Sequence, residues 1–389
     1  MGIFKIHFSK ERVYGLDILR ALAIFMVVFG HGKYIFSDQI TRKFLSIPIF
    51  DGVSIFFVLS GFLIGGILIK TIETETLNKH SLIVFWKRRW FRTLPNYFLI
   101  LSITYLALGY GEVRDIYKYF LFVQNLNSPH PKFFPEAWSL AVEEWFYLLI
   151  PIGLLLIIKL GIKPKQSILI LIILIIVVSI FIRYYKFSTI EIETIRDWDV
   201  NFRKQVITRL DSIMFGVLGA FLNQYYYKKW VIYKTQLLIL GMILLLLHKF
   251  TFVSRDFFNV DLNVYYCVYS FSLVSIATLL LLPFLSNYKH GNGMLYRVVT
   301  IFSLTSYSMY LINLSLVQDV ILPIFIDVIP VPLYGVSLEI YTYLAYWFIT
   351  VFGSILLYKY FEVPSIKLRE LSIFSRKHIN DKEVKSELS

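Results

Sequence analysis

The chain has 389 residues, 57% of them hydrophobic and only 17% charged, with a formal net charge of +13. Soluble globular chains hold about 45–50% apolar and about 25% charged residues, so this composition excludes a soluble two-domain enzyme and indicates a polytopic membrane protein. The positive excess is scattered through short loops, where a membrane protein needs it for topology, so no nucleic-acid partner is expected.

The lone Cys267 lies in an apolar run, which excludes a disulfide within the chain, and no Cys/His spacing suits a metal. The first stretch is basic (Lys5, Lys10, Arg12) and then apolar. It is too long and too polar inside for a cleaved signal, so it reads as a first membrane helix. Ten apolar segments are long enough to cross about 30 Å of hydrocarbon. They lie near 14–36, 48–70, 91–110, 136–158, 167–185, 207–227, 231–248, 263–285, 298–318 and 335–359. The fold expected is an all-α bundle of about ten transmembrane helices. Residues 1–364 form one membrane domain, and 365–389 form a short polar tail. With the N-terminus inside, inner segments carry about 24 Lys and Arg and outer ones about 13. Both termini are therefore expected in the cytoplasm. The basic loop from Arg183 to Lys204, placed outside, runs against that count. The stretch from Ile116 to Asn125 reads as a short re-entrant or interfacial helix.

The first segment holds Asp17, Arg20 and His31 amid apolar residues. A charge at mid-bilayer costs roughly 2.5–3.5 kcal/mol on insertion scales, so such residues face a bundle interior. At about 100° and 1.5 Å per residue, Arg20 and His31 are nearly eclipsed and about 16 Å apart, with Asp17 within about 40° of the same line. Asp17 and Arg20, at i and i+3, can pair with each other. His31 has no carboxylate one turn away, and a neutral imidazole suits general base catalysis on an alcohol.

Further along, Trp86 to Arg92 is a basic patch with Arg89 and Arg92 on one helix face. It serves topology and anionic lipid, or it clamps phosphates through bidentate guanidiniums. Trp138 to Tyr147 places Ser139, Glu143 and Tyr147 on one stripe beside Glu144, either as an inward site or as an interfacial carboxylate pair anchored by Trp138 and Trp145. Arg209 and Asp211 are expected to form an internal ion pair, with Gly216 and Gly219 letting that helix pack closely. Ser306, Tyr310 and Asn313 share a face and can bond between helices. Ionisable residues inside spans also mark transporters and flippases, which is the competing reading. Arg89 and Arg92 before the third span argue against it.

In order along the chain, these motifs resemble the acyltransferase-3 family of integral membrane acyltransferases, from Tyr14 to about Pro364. Tyr14–His31 is similar to the family's opening helix, with Arg20 ahead of His31. Asp51–Ile64 is similar to its second-helix motif, Arg89–Arg92 to its Arg-x-x-Arg, and Trp138–Tyr147 to its fourth signature. Arg209–Asp211 and Ser306–Tyr310 are similar to two later ones. Two positions depart from the pattern: Ser54, where Asp is frequent, and Asn313, where His is frequent. Neither is expected to touch His31 or the arginine pair.

The resemblance implies a plasma-membrane O-acyltransferase. The donor would be cytoplasmic acyl-CoA, most often acetyl-CoA. The acceptor would be a hydroxyl of a cell-surface glycan or its lipid-linked precursor. No metal is implied. Arg89 and Arg92 would hold the donor's phosphates, with Arg20 near the membrane mouth. His31 would deprotonate the acceptor or carry the acyl group itself. Glu143 would orient the imidazole, with Glu144, Asp211, Asp17 and Tyr147 in support. Some relatives carry an extra extracytoplasmic hydrolase-like domain. Without one in this sequence, the chain is expected to complete the transfer itself or with a glycan-assembly partner.

Overall fold

The computed structural model describes residues 12–74, 78–108, 115–258, 260–328 and 334–368. The basic Lys5 and Lys10 and most of the polar tail lie outside the described residues. Within them every regular element is helical, as a backbone crossing hydrocarbon requires unless it closes into a barrel. The long helices are α1 (Tyr14–Gly32), α2 (Gly52–Thr74), α3 (Lys79–Leu108), α4 (Ala137–Lys159) and α5 (Pro164–Thr189). They continue with α6 (Leu210–Tyr225), α7 (Lys234–Phe258), α8 (Ser270–Asn287), α9 (Gly293–Ile312) and α10 (Val336–Leu357). Eight stretches are long and apolar enough to cross a membrane. The remaining two of the ten expected segments correspond to α3, diluted by Arg92 and Asn96, and to α6, which has only 16 residues. The Ile116–Asn125 stretch is a five-residue helix, Ile116–Phe120, and a turn. It is folded against α3: the Tyr97 hydroxyl donates to the Tyr119 carbonyl at 3.0 Å.

Helices α2 and α6 pack backbone to backbone. A Cβ on Gly61 would sit 1.9 Å from the Ile213 carbonyl oxygen, and one on Gly216 would sit 2.0 Å from that of Val58. Lipid tails provide no hydrophobic drive between helices, so such close contact is what holds them. Helix α1 runs beside both α2 and α9, which brings its polar stripe to the bundle interior. Asn313–Ile321 continues α9 in a wider helical turn, a local geometry frequent at functional sites.

The polar residues of α6 pair differently from the sequence expectation. Asp211 does not pair with Arg209. It accepts from Arg183 of α5 at 2.9 and 2.8 Å and from Ser272 of α8 at 2.8 Å, with Arg183 and Asp211 fully buried. Arg209 caps the N-terminus of α6 with a non-helical backbone while Asp211 lies in its first turn, so each reaches a different neighbour. Arg209 donates to Ser54 at 2.5 Å and lies 3.9 Å from Asp51. Asp211 is thus a clasp joining α5, α6 and α8.

Candidate functional site

The stripe on α1 lines two cavities at opposite ends of the bundle. At the N-terminal end of α1, Asp17 accepts from Arg12 at 2.9 Å and from Ser303 at 2.7 Å. Arg20 pairs with Asp17 at 3.9 Å, as expected, and Arg12 is a second and closer partner. The Arg20 guanidinium faces a cavity of about 690 Å³, together with Arg12, Arg88, Arg89 and Arg92. Glu362 is its buried acidic counterweight, held by Asn96 at 3.1 Å and Ser308 at 2.7 Å. Five converging guanidiniums make a strong anion site, because each presents a fork of donors matched to phosphate.

A narrower space of about 120 Å³ leads inward past Arg20, Arg89 and Arg92, and is lined by Ser139, Glu143, Tyr147 and Tyr310. The predicted α4 stripe is present here. Tyr147 donates to Glu143 and shares a 3.0 Å hydrogen bond with Ser60. Ser139 and Tyr310 share one of 2.6 Å. Glu144 has a different task. It accepts from Trp90 at 3.1 Å and Thr93 at 3.0 Å, tying α4 to α3. Side chains one residue apart on a helix diverge by about 100°, so the adjacent carboxylates separate into one facing the cavity and one facing a neighbouring helix.

His31 lines a third cavity, of about 590 Å³, at the other end of the bundle, with Lys33, Asp51, Arg203, Lys204 and His248 around it. Its Nδ1 donates to Asn313 Oδ1 at 2.6 Å. The amide orientation is fixed, since Asn313 Nδ2 donates to the Met309 and Tyr310 carbonyls at 3.0 and 2.7 Å. Tyr346 donates to the same Oδ1 at 3.3 Å. With Nδ1 protonated, Nε2 carries the lone pair, which is the form a general base requires. Glu143 does not orient this ring as expected; its partner is Tyr147. The departures at Asn313 and Ser54 do touch the site. Asn313 is the direct partner of His31, and Ser54 holds Arg209 and also donates to Asp51 at 2.6 Å. The His31 chamber and the narrow arginine-side space share Val53 in their walls.

Sequence reading did not single out Arg12 and Arg203, which lie outside the long helices, where basic residues are unremarkable, and it took Arg88 only as part of the Trp86–Arg92 patch. Asn313 reads in the sequence equally as helix glue or as a site residue, and its standing where His is frequent in the family was the available signal.

Residues 13–359 match the family of acyltransferase domains. The chain belongs to this acyltransferase family. Among curated proteins it is 31% identical over 178 residues to the peptidoglycan O-acetyltransferase OatA of Listeria monocytogenes, covering 41% of this chain and 26% of that protein. It is 27% identical over 235 residues to the O-acetyltransferase OatA of Staphylococcus aureus, covering 55% and 35% respectively. The aligned region thus spans about a third or less of those relatives. No solved structure matches.

Proposed function

We propose that this acyltransferase moves an acetyl group from cytoplasmic acetyl-CoA to a hydroxyl of a cell-surface glycan or its lipid-linked precursor, across the plasma membrane in which it sits. The donor enters at the five-arginine cavity, where Arg20, Arg89 and Arg92 hold its phosphates and the pantetheine arm extends toward Tyr147 and Ser139. The acceptor occupies the His31 chamber. His31 Nε2 takes the hydroxyl proton, and the oxygen attacks the thioester carbonyl. The carbon–sulfur bond then breaks, and the thiolate leaves as CoA after taking up a proton. Asn313 keeps the imidazole in the reactive tautomer throughout, a role in which a neutral amide replaces the carboxylate of many catalytic histidines.

The observation that carries this reading is the His31–Asn313 hydrogen bond. It leaves Nε2 free in a chamber on the same helix that presents Arg20 to the anion cavity. The names of the relatives support acetyl as the group and a glycan as acceptor. The test is CoA release from acetyl-CoA by the purified chain with an extract of cell-wall glycans. Wild-type protein should release CoA and esterify the glycan. His31→Ala should bind CoA normally and do neither. A transporter would release no CoA in either form, and an active His31→Ala would remove the central assignment.

A further inference from the structure

The His31 chamber opens into a second cavity of about 690 Å³; Lys33, Tyr34, Ser46, Lys249 and Asp256 line both. This outer cavity gathers Lys33, Arg42, Lys43, Lys249 and Arg255 against Glu193, Asp256 and Asp261. Arg255 is paired with Asp256 at 3.0 Å. Among the described residues, Lys33, Arg42, Lys43 and Lys249 are in no ion pair. Lys33 donates to Ser46 at 2.7 Å and Arg42 to the Phe36 carbonyl, both uncharged acceptors. The rings of Tyr34 and Phe257, 60% and 43% exposed, stand beside Lys33 and Lys43 at 5.0 and 5.7 Å. Cations at the non-cytoplasmic end oppose the usual topological bias. Part of the basic excess from Arg183 to Lys204 is internal: Arg183 is clasped by Asp211, and Lys186 donates to Gln205. Among the described residues, Lys43 and Lys249 have no such internal hydrogen-bond or carboxylate partner.

We infer that this cavity binds an anionic acceptor, a glycan bearing carboxylate or phosphodiester groups, and delivers its hydroxyl to His31. The cations attract and position the charged sugar, and the exposed rings cover its apolar face. This deepens the proposed function and rests on the His31 end receiving the acceptor.

The experiment uses the full chain in nanodiscs of neutral lipid. Binding is measured for three probes: an oligosaccharide alternating uronic acid and amino sugar, the same oligosaccharide with its carboxyls methyl-esterified, and an oligomer of glycerol phosphate. One anionic probe or both should bind roughly tenfold tighter than the ester, a margin that shrinks with salt. Which one binds separates carboxylate from phosphodiester recognition. The Lys43→Gln/Lys249→Gln double variant should lose the margin while binding acetyl-CoA as wild type. Equal binding of all three probes overturns the inference, as does a margin untouched in the double variant. If the double variant instead weakens only association with anionic-lipid nanodiscs, the cations serve the bilayer and the inference falls. CoA release is followed in parallel. Release that depends on His31 without charge preference removes the acceptor inference alone. Charge preference without such release removes the catalytic reading alone.

Discussion

The imidazole of His31 is held by a neutral amide, and that choice sets its chemistry. A carboxylate partner would stabilise the imidazolium; Asn313 fixes the tautomer without adding charge. We expect Asn313→Ala to retain acetyl-CoA binding and to lower kcat by about 10–100-fold, the usual cost of losing an orienting partner. Asn313→Asp should recover part of the rate with a shifted pH profile. An unchanged profile in Asn313→Asp would show that the amide does not act on the imidazole. At the other end of α1, single Arg89→Gln or Arg92→Gln substitutions should weaken CoA binding, and the residual affinity should depend less on salt. That His31 and the arginine pair line cavities was legible in the sequence, His31 because an ionisable group in an apolar run needs a reason and the arginines because their i, i+3 spacing shares one helix face. Asn313 was not, because its partner lies 282 residues away and an amide in a helix has many structural uses. A second histidine gives a stability effect. Burial pushes His130 down to about 4, and its Nδ1 donates to the Pro131 carbonyl at 2.6 Å. The neutral ring is therefore favoured on folding. Its contribution is full above the unfolded value of about 6.5 and is lost as pH falls toward 4, up to roughly 3 kcal/mol. His130→Asn, which keeps a donor, should flatten the fall of Tm between about pH 6.5 and pH 4. An identical slope in variant and wild type would contradict this.

Between helices, two kinds of contact hold the bundle, and they differ in how far sequence reveals them. The glycines of α6 were legible as a close-packing face, and Gly216 does meet Gly61 and Val58 of α2 at backbone distance. The ion pairs were not legible, because spacing along one helix cannot tell which neighbour a side chain will meet. Arg209 and Asp211 looked like partners and belong to separate networks. Removing one member of a fully buried pair strands a charge and costs about 3–5 kcal/mol, whereas replacing both with apolar residues is often neutral. Asp211→Leu should therefore yield little folded protein by detergent-resistant gel filtration, and Arg183→Met/Asp211→Leu should restore the yield. If the double variant is no better than the single, the pair does more than hold α5, α6 and α8 together.

Across the whole molecule, the arginine cavity and the His31 chamber lie at opposite ends of α1, so the proposed reaction runs from one face of the membrane to the other. The loop charges of the sequence assign the N-terminal end of α1 to the cytoplasm, and the same assignment puts the arginines proposed to bind CoA where acyl-CoA is made. That sidedness can be measured directly. Cys267 is fully buried, so the wild-type chain should give little background with a membrane-impermeant maleimide. His80 borders the arginine cavity and Gln39 the outer cavity, and both are exposed. In intact cells Gln39→Cys should label and His80→Cys should not; after permeabilisation both should label. The reverse pattern would place the arginines outside, away from cytoplasmic acyl-CoA. A transfer from inside to outside would then have no donor at its starting face, whatever His31 does.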